Sequence, residues 1–359
     1  EVVGAGEEGC ERRGERHVAA NRQADARRRL APLADGWLRH DRPIHVPCDD
    51  SVVRVVDGDP LPLRRSRGFA PLPVALPFAV APTLAVGADL KNTCAVGADR
   101  SAWLSGHIGD MDDADTVRTF TAAEHHLEQL TGIRPGALAT DAHPGYRSRQ
   151  WACRHAAGRP VRPVQHHHAH VAAVMAEHGL GGERPVLGFA FDGTGYGTDG
   201  AVWGGEALIA DYRGFERFAH LAYVPLPGGD AAVRRPYRMA LAHLWAAGVG
   251  WAEDLPPVAA CPAAERRVLA HQFATGLACV PTASMGRLFD AVSSLLGVRH
   301  RADFEAQAAI ELEARARRCP DGSDAWRNRY AFEVRRPVPG GPLVADAAPV
   351  IRGLVRDLR

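Results

Sequence analysis

Lysine is all but missing from this sequence: every one of its 43 basic residues is arginine except Lys91. Arginine therefore fills the generic surface roles. A lysine that persists against that bias is either a chance survivor or the bearer of a task for which a compact point charge on a flexible stem is better suited, such as meeting an anionic phosphate or a carbonyl oxygen. Other absences are as informative. Seven cysteines, at 10, 48, 94, 153, 261, 279 and 319, contain no C-x-x-C pair, which removes zinc knuckles and dithiol redox motifs and points to reduced thiols in a cytoplasmic protein. No apolar run approaches the roughly 18 residues of a membrane span. The opening EVVGAGEEGCERRGERH has no apolar signal-peptide core and no starting Met, so a fragment of a longer chain is one expectation. A net charge of +1 provides no global electrostatic case for nucleic acid or membrane partners.

What remains is an ordinary soluble composition, 46% hydrophobic and 24% charged, over 359 residues, enough for two or three domains. Residues 1–21 are Arg- and Glu-rich without a period and read as disordered or unassigned. ADARRRLAPLADGWLRH (25–40) has helical spacing, SVVRVV reads as a strand and DGD as a turn. Proline is dense from 71 to 82, which predicts a linker. Beyond it the spacing predicts a strand entering GADLKNT, then TCAVG and SAWLS as two further strands, a helix AAEHHLEQLTG closed by Gly, a buried strand ALATD and a helix from RSRQWACRHAAG. A strand VRPVQHH then enters the helix HAHVAAVMAEHG. PVLGFAFDGTGYGTDGAVWGGEALIADY (185–212) predicts an apolar strand, a Gly-rich turn and two more strands. LAVGADLKNTCAVG and LGFAFDGTGYGTDGAVWG thus repeat one plan: strand, acidic residue in a tight turn, returning strand. Two such loops, each opening a βββαβα lobe, predict an α/β chain with an actin-like two-lobed ATPase fold and nucleotide between the lobes.

Four histidines fall within five positions of VQHHHAH. In a helix starting near 166, His166 and His170 share one face at i and i+4, a spacing that lets two imidazoles reach one metal. His167 and His168 point elsewhere, each a supporting donor or a nucleotide contact. Two His plus a carboxylate suit iron or zinc with open positions, and Asp192 in DGTGYG is the nearby carboxylate; a satisfied core or surface histidine is the plainer alternative. Gly193, Thr194 and Gly195 of the same run can cradle phosphate oxygens with backbone N–H groups, or form a simple hairpin. In SMGRLFDAVSSLLG, Gly286 permits close backbone approach and Asp290 can accept ribose hydroxyls, while Leu288, Phe289, Val292 and Leu296 read as core. Gly228 and Gly229 of VPLPGGD line a nucleotide base or merely a turn. RRSRG (64–68) and CDDS (48–51) are anion contacts or solvated surface.

Taken in order, HDRPIHVPCDDSVVRV with LRRSRGFAPLP, GADLKNT, SGHIGD, DAHPGY, QHHHAH, DGTGYG…WGGE, LPGGD and SMGRLFDAVSSLLG with AAIELEA closely resemble the HypF-type carbamoyltransferases of [NiFe]-hydrogenase maturation, over about residues 25 to 330. The resemblance implies two activities. A YrdC-like domain makes carbamoyl-adenylate from ATP and carbamate, with carbamoyl phosphate and ATP as the family's substrates. An actin-like domain then passes the carbamoyl group to the C-terminal cysteine of a HypE-type partner. It further implies that residues 22–78 are the C-terminal part of the YrdC-like domain and 79–359 the actin-like domain. His166, His170 and Asp192 would be metal ligands and Lys91 would meet the carbamoyl-adenylate. His167 would be a catalytic contact, and Gly286 and Asp290 would hold the adenosine.

The departures from that pattern set further expectations. The acylphosphatase domain, the C-x-x-C zinc motifs and the Lys- and Ser-containing nucleotide site of the YrdC-like domain are missing from this sequence. The actin-like domain is expected to continue to an SGG loop and an NDGG turn with a further metal-binding Asp, beyond VIRGLVRDLR; the family's Gly in YEGQAA is Ala306 here. Carbamoyl-adenylate synthesis is therefore not expected of this chain alone. Three other readings stand beside the HypF one: an O-carbamoyltransferase acting on a small-molecule hydroxyl, a tRNA threonylcarbamoyl-transferase, which the upstream YrdC-like tail argues against, and an inactive truncated fragment.

Overall fold

The computed structural model describes residues 27–28, 30–38, 46, 48–319 and 329–359. The expectations for 1–26, and for much of the 25–47 stretch, lie outside them; of the expected helix at 25–40 the structure describes α-helical residues at 27, 28 and 30 and a 3-10 turn, Ala31–Leu33. The chain divides into two compact units. The first holds residues up to 165 together with 173–181, and the second holds 166–172 and 182–359. The helix His166–Glu177 thus lends its first two turns to the second unit.

In the first unit, β1 (Val52–Val56) and β2 (Asp59–Arg64) form an antiparallel hairpin about the expected Asp57–Gly58 turn, where both residues take positive φ. β3 (Val74–Ala85) follows. It overturns the expected linker: the prolines at 77 and 82 fall where the register between β3 and β4 (Ala95–Leu104) shifts, so their missing N–H groups interrupt the ladder without ending the strand. β4 also merges the two strands expected from TCAVG and SAWLS. Asp99, at φ 50° opposite Val80, is a local irregularity and not a reversal. The four-stranded sheet is completed by β5 (Ala137–Asp141) and β6 (Val161–Val164) in the order β4-β3-β5-β6, the last three parallel. The helix Ala114–Thr131 packs on it through buried Phe120 and Leu127. Asp113 caps its first turn and Gly132 ends it in the left-handed conformation. This helix is longer than AAEHHLEQLTG suggests because the capping Asp113 lies nine residues before that run begins at Ala122. Phe120 meets Trp151, from the helix Arg147–Arg154, edge-on at 4.8 Å in the core.

The second unit is built on a seven-stranded sheet. β7 (Val186–Tyr196) pairs with β8 (Val202–Ala210), which continues through β9 (Phe215–Leu221) to β13 (Leu343–Asp346) and β12 (Glu333–Arg335). On the other side lie β11 (Cys279–Thr282) and β10 (Val224–Pro227). The Gly-rich turn expected at DGTGYG is instead a bulge inside β7, where pairing with β8 breaks between Phe191 and Gly195. The reversal comes later, closed by the Gly197 N–H donating to the Ala201 carbonyl at 3.0 Å. The helices Pro236–Ala246, Ala263–Thr275, Met285–Leu295 and Ala348–Leu358 supply the core, with Tyr237, Leu241, Leu244 and Ile351 fully enclosed. Phe289 and Leu296, expected in that core, are exposed at 45% and 39%. The helix Met285–Leu295 turns Arg287, Asp290, Ser293 and Ser294 inward instead. No helix among the described residues is long and apolar enough to cross a membrane.

Candidate functional site

The second unit assembles its polar centre on the β7 bulge. The helix beginning at His166 lies directly over β7, because Gly188 has no side chain where Val171 packs. That placement brings three of the four histidines to Asp192 or to one another. His166 Nε2 and His170 Nε2 face each other at 3.1 Å, as the i, i+4 spacing predicts. Asp192 Oδ2 stands 3.5 Å from His166 Nε2 and 3.1 Å from His167 Nε2. His167, expected off the His166–His170 face as a supporting donor or a nucleotide contact, is fully buried beside Asp192. His168 turns to the other side, its Nε2 2.6 Å from the Asp211 carbonyl.

Asp192 is held from three directions. Gly204 on β8 presses against its carboxylate, and Gly195 leaves room for the His167 ring. The Ser284 hydroxyl lies 2.7 Å from the carbonyl of Asp192 and 2.8 Å from that of Gly193, while its oxygen caps the helix Met285–Leu295 by accepting the Arg287 N–H. Gly286 sits against the same backbone: a Cβ on it would stand 2.9 Å from the Asp192 carbonyl oxygen. Thr194 is exposed and Gly193 half-buried. Asp290 is buried against Arg287, with Nη2 to Oδ2 at 3.0 Å, and burial pushes its carboxyl up to about 6 even though the guanidinium opposes the shift. Gly228 and Gly229 form a left-handed pair linking β10 to the short helix Asp230–Arg234.

Behind this centre lies a network for which the sequence offered no specific reading. Glu206, fully buried, accepts from Arg217 Nε at 2.6 Å and Nη2 at 3.0 Å. The Arg217 guanidinium covers the Trp203 ring at 3.9 Å, and Trp203 donates to Asp199 at 2.9 Å. Trp203 stands 5.9 Å from the His167 ring, so this network backs the histidine. The WGGE run names two of these residues; the pairing with Arg217, eleven positions later, needs the β8–β9 hairpin to be visible.

Lys91 belongs to the first unit. It is exposed, sits at φ 49°, and its backbone N–H donates to Asp110 at 2.7 Å. Its loop is fastened on both sides: Asp89 accepts the N–H groups of Arg147 and Ser148, and Asn92 donates to the carbonyls of Val86 and Ala88. CDDS and RRSRG also meet, through an exposed Arg67–Asp50 pair at 3.4 Å.

Two facing imidazole nitrogens and an adjacent carboxylate are a donor set for a divalent ion. Ligand atoms held at about 2.1 Å from one metal stand roughly 3 Å apart, which matches the His166–His170 separation. Asp192 Oδ1 is buried with no hydrogen-bond partner, as an oxygen reserved for a cation would be. No three His, Cys, Asp or Glu side chains among the described residues are already spread around one centre; His166 and His170 lean edge-to-face on each other.

Residues 79–177 match the family model described as the HypF Kae1-like domain, and residues 188–359 the one described as the carbamoyltransferase Kae1-like domain, second subdomain. Carbamoyltransferase HypF of Rhizobium leguminosarum bv. viciae is 43% identical over 346 residues, covering 95% of this chain and 44% of that protein. The Synechocystis sp. carbamoyltransferase HypF is 44% identical over 318 residues, covering 81% of this chain and 39% of the relative. Among solved structures, a full-length HypF in its phosphate- and nucleotide-bound form superposes with a TM-score of 0.85 at 36% identity, covering 94% of this chain and 43% of the other. The chain thus spans less than half the length of each.

Proposed function

This chain belongs to the HypF carbamoyltransferase family, and we propose that its Kae1-like region moves a carbamoyl group from carbamoyl-adenylate to the C-terminal cysteine of a HypE-type partner. The observation that carries the reading is the facing pair of His166 and His170 nitrogens with Asp192 beside them on a bulged strand. In this reading the partner thiolate attacks the carbamoyl carbon, the bond from that carbon to the phosphate oxygen breaks, and AMP leaves with the electron pair. The thiol proton goes to solvent. A divalent ion, iron or zinc, held by His166, His170 and Asp192 would supply Lewis-acid polarisation of the carbamoyl oxygen.

The chain's own side chains take the remaining roles. His167, buried against Asp192 and backed by Trp203, keeps the carboxylate turned toward His166. Gly193 and Thr194 fall where the β7 ladder is interrupted and are assigned to offer their backbone N–H groups to phosphate oxygens, while Gly195, back in register opposite Trp203, closes the bulge. Gly286, Asp290 and the Gly228–Gly229 turn are assigned to the adenosine side, and Lys91 to the charge on the donor. No residue of this chain is required as a nucleophile. Residues 22–78 are assigned to the tail of the YrdC-like domain; an isolated two-stranded hairpin such as β1–β2 is marginal alone and fits a part of a larger sheet.

The test is direct. The chain is incubated with synthetic carbamoyl-adenylate, a peptide ending in the acceptor cysteine and an amino sugar bearing free hydroxyls, and both acceptors are weighed by mass spectrometry. A gain of one carbamoyl group at cysteine, with matching AMP release, is the expected result. Carbamoylation of a sugar hydroxyl in place of the thiol would transfer the reading to an O-carbamoyltransferase, and no transfer to either acceptor would overturn both.

A further inference from the structure

Arg287 is an unusual side chain to find enclosed. It is 4% exposed, yet neither Nε nor Nη1 has a hydrogen-bond partner. Its ion-pair partner among the described residues, Asp290 Oδ2, lies 3.0 Å from Nη2 but out of line for a hydrogen bond. A buried guanidinium left this way is costly, and such groups are kept where a ligand completes them.

The direction in which it faces identifies the ligand. A Cβ placed on Gly193 would have three nearest neighbours, all from this one guanidinium: Nη2 at 3.2 Å, Cζ at 3.8 Å and Nε at 4.0 Å. The space that Gly193 leaves empty therefore opens onto the Nε–Nη2 edge, the edge that grips two oxygens of a phosphate or carboxylate. Gly193 is itself half-buried and Thr194 beside it exposed, so this stretch of the bulge lies close to the surface. The same place lies at the N-terminus of the 11-residue helix Met285–Leu295, which Ser284 fastens to the carbonyls of Asp192 and Gly193. Asp290 offsets the charge of Arg287, which makes this a seat defined by hydrogen-bond direction more than by net charge.

We propose that Arg287 and the vacancy over Gly193 form the seat for a phosphoryl oxygen of the nucleotide, adding a side-chain donor to the backbone cradle of the β7 bulge. The proposal rests on the reading that an adenylate donor occupies the second unit. Arg287 holds the phosphoryl group while the carbamoyl carbon is attacked, and it keeps the departing AMP from drifting along the bulge.

Calorimetric titration of the full chain with AMP, adenosine and inorganic phosphate tests it, on wild type, Gly193→Ala and Arg287→Lys. Gly193→Ala fills the seat with a methyl group against Arg287 Nη2 while keeping both charged side chains. Arg287→Lys keeps the charge and removes the two-pronged edge. Both variants are expected to weaken AMP about tenfold or more, to leave the much weaker adenosine binding as it was, and to keep the wild-type melting temperature and metal content. AMP binding unchanged in both variants, or adenosine binding as tightly as AMP in wild type, overturns the seat while leaving the carbamoyl-transfer reading in place. A wild-type chain that binds none of the three probes overturns both.

Discussion

Gly204 and Asp192 are fitted to each other. A Cβ on Gly204 would stand 2.2 Å from Asp192 Oδ1 and 2.7 Å from its backbone oxygen, and Gly204 itself adopts φ 146°, a conformation open to glycine and rarely to other residues. Gly204→Ala must therefore either strain β8 or push the Asp192 carboxylate away from the histidines. The expected outcome is a loss of stability of about 1–3 kcal/mol, with weaker divalent-metal binding. Urea unfolding and metal titration measured on the same sample check both parts.

Glu206 is fully enclosed and pairs in two-pronged fashion with Arg217, whose side chain is only 14% exposed. Removing one partner leaves the other charge stranded. Glu206→Ala is expected to cost about 3–5 kcal/mol, whereas Glu206→Leu combined with Arg217→Met is expected to cost far less, because it removes both charges together. Denaturant midpoints of the two variants decide the matter; equal losses would mean that packing, and not the stranded guanidinium, sets the cost.

Ala306 caps the helix Gln307–Ala316 at φ 60° and ψ 11°, a left-handed geometry that burdens any residue with a Cβ. Ala306→Gly is expected to raise stability by about 0.5–1 kcal/mol, the relief of Cβ strain exceeding the added freedom of glycine in the unfolded chain. A fall in the melting temperature would contradict that assignment.

Asp290 supplies a pH dependence with a definite sign. Burial raises its carboxyl from 3.8 to about 6, so the folded chain holds this proton where the unfolded chain has already released it. Its contribution to stability is therefore present below about pH 4 and is lost as pH rises through about 6. Asp290→Asn removes the titration. Between those two pH values the wild type should lose stability relative to Asp290→Asn as pH rises; parallel curves would show that Arg287 keeps the group ionised throughout.

Much of this architecture is legible in the sequence where periodicity is local. The helices at 147–154, 166–177 and 285–295, and the pairing of His166 with His170, follow from spacing alone. What is not legible depends on neighbours distant in sequence. Prolines at 77 and 82 suggest a linker until the register shifts of the β3–β4 ladder accommodate them. DGTGYG suggests a turn, because glycine permits a bulge as readily as a reversal, and only the partner strand decides between them. The helix Met285–Leu295 misleads most, since its apolar Phe289 is outside and its Arg287 and Asp290 are inside. Leu288, Ala291 and Leu295 are buried and Val292 packs on the core, so the charged pair is enclosed beside an ordinary apolar face, which a reading that assigns only apolar residues to the core does not reveal.

The most direct measurement is elemental analysis of the purified chain beside the double variant His166→Ala, His170→Ala, after equilibration with iron or zinc. One tightly held ion per wild-type chain and none in the variant is expected, with the fold of the second unit retained by circular dichroism. Equal metal content in both proteins would contradict it, and would return the facing imidazoles 3.1 Å apart to an ordinary packing contact at the start of a helix.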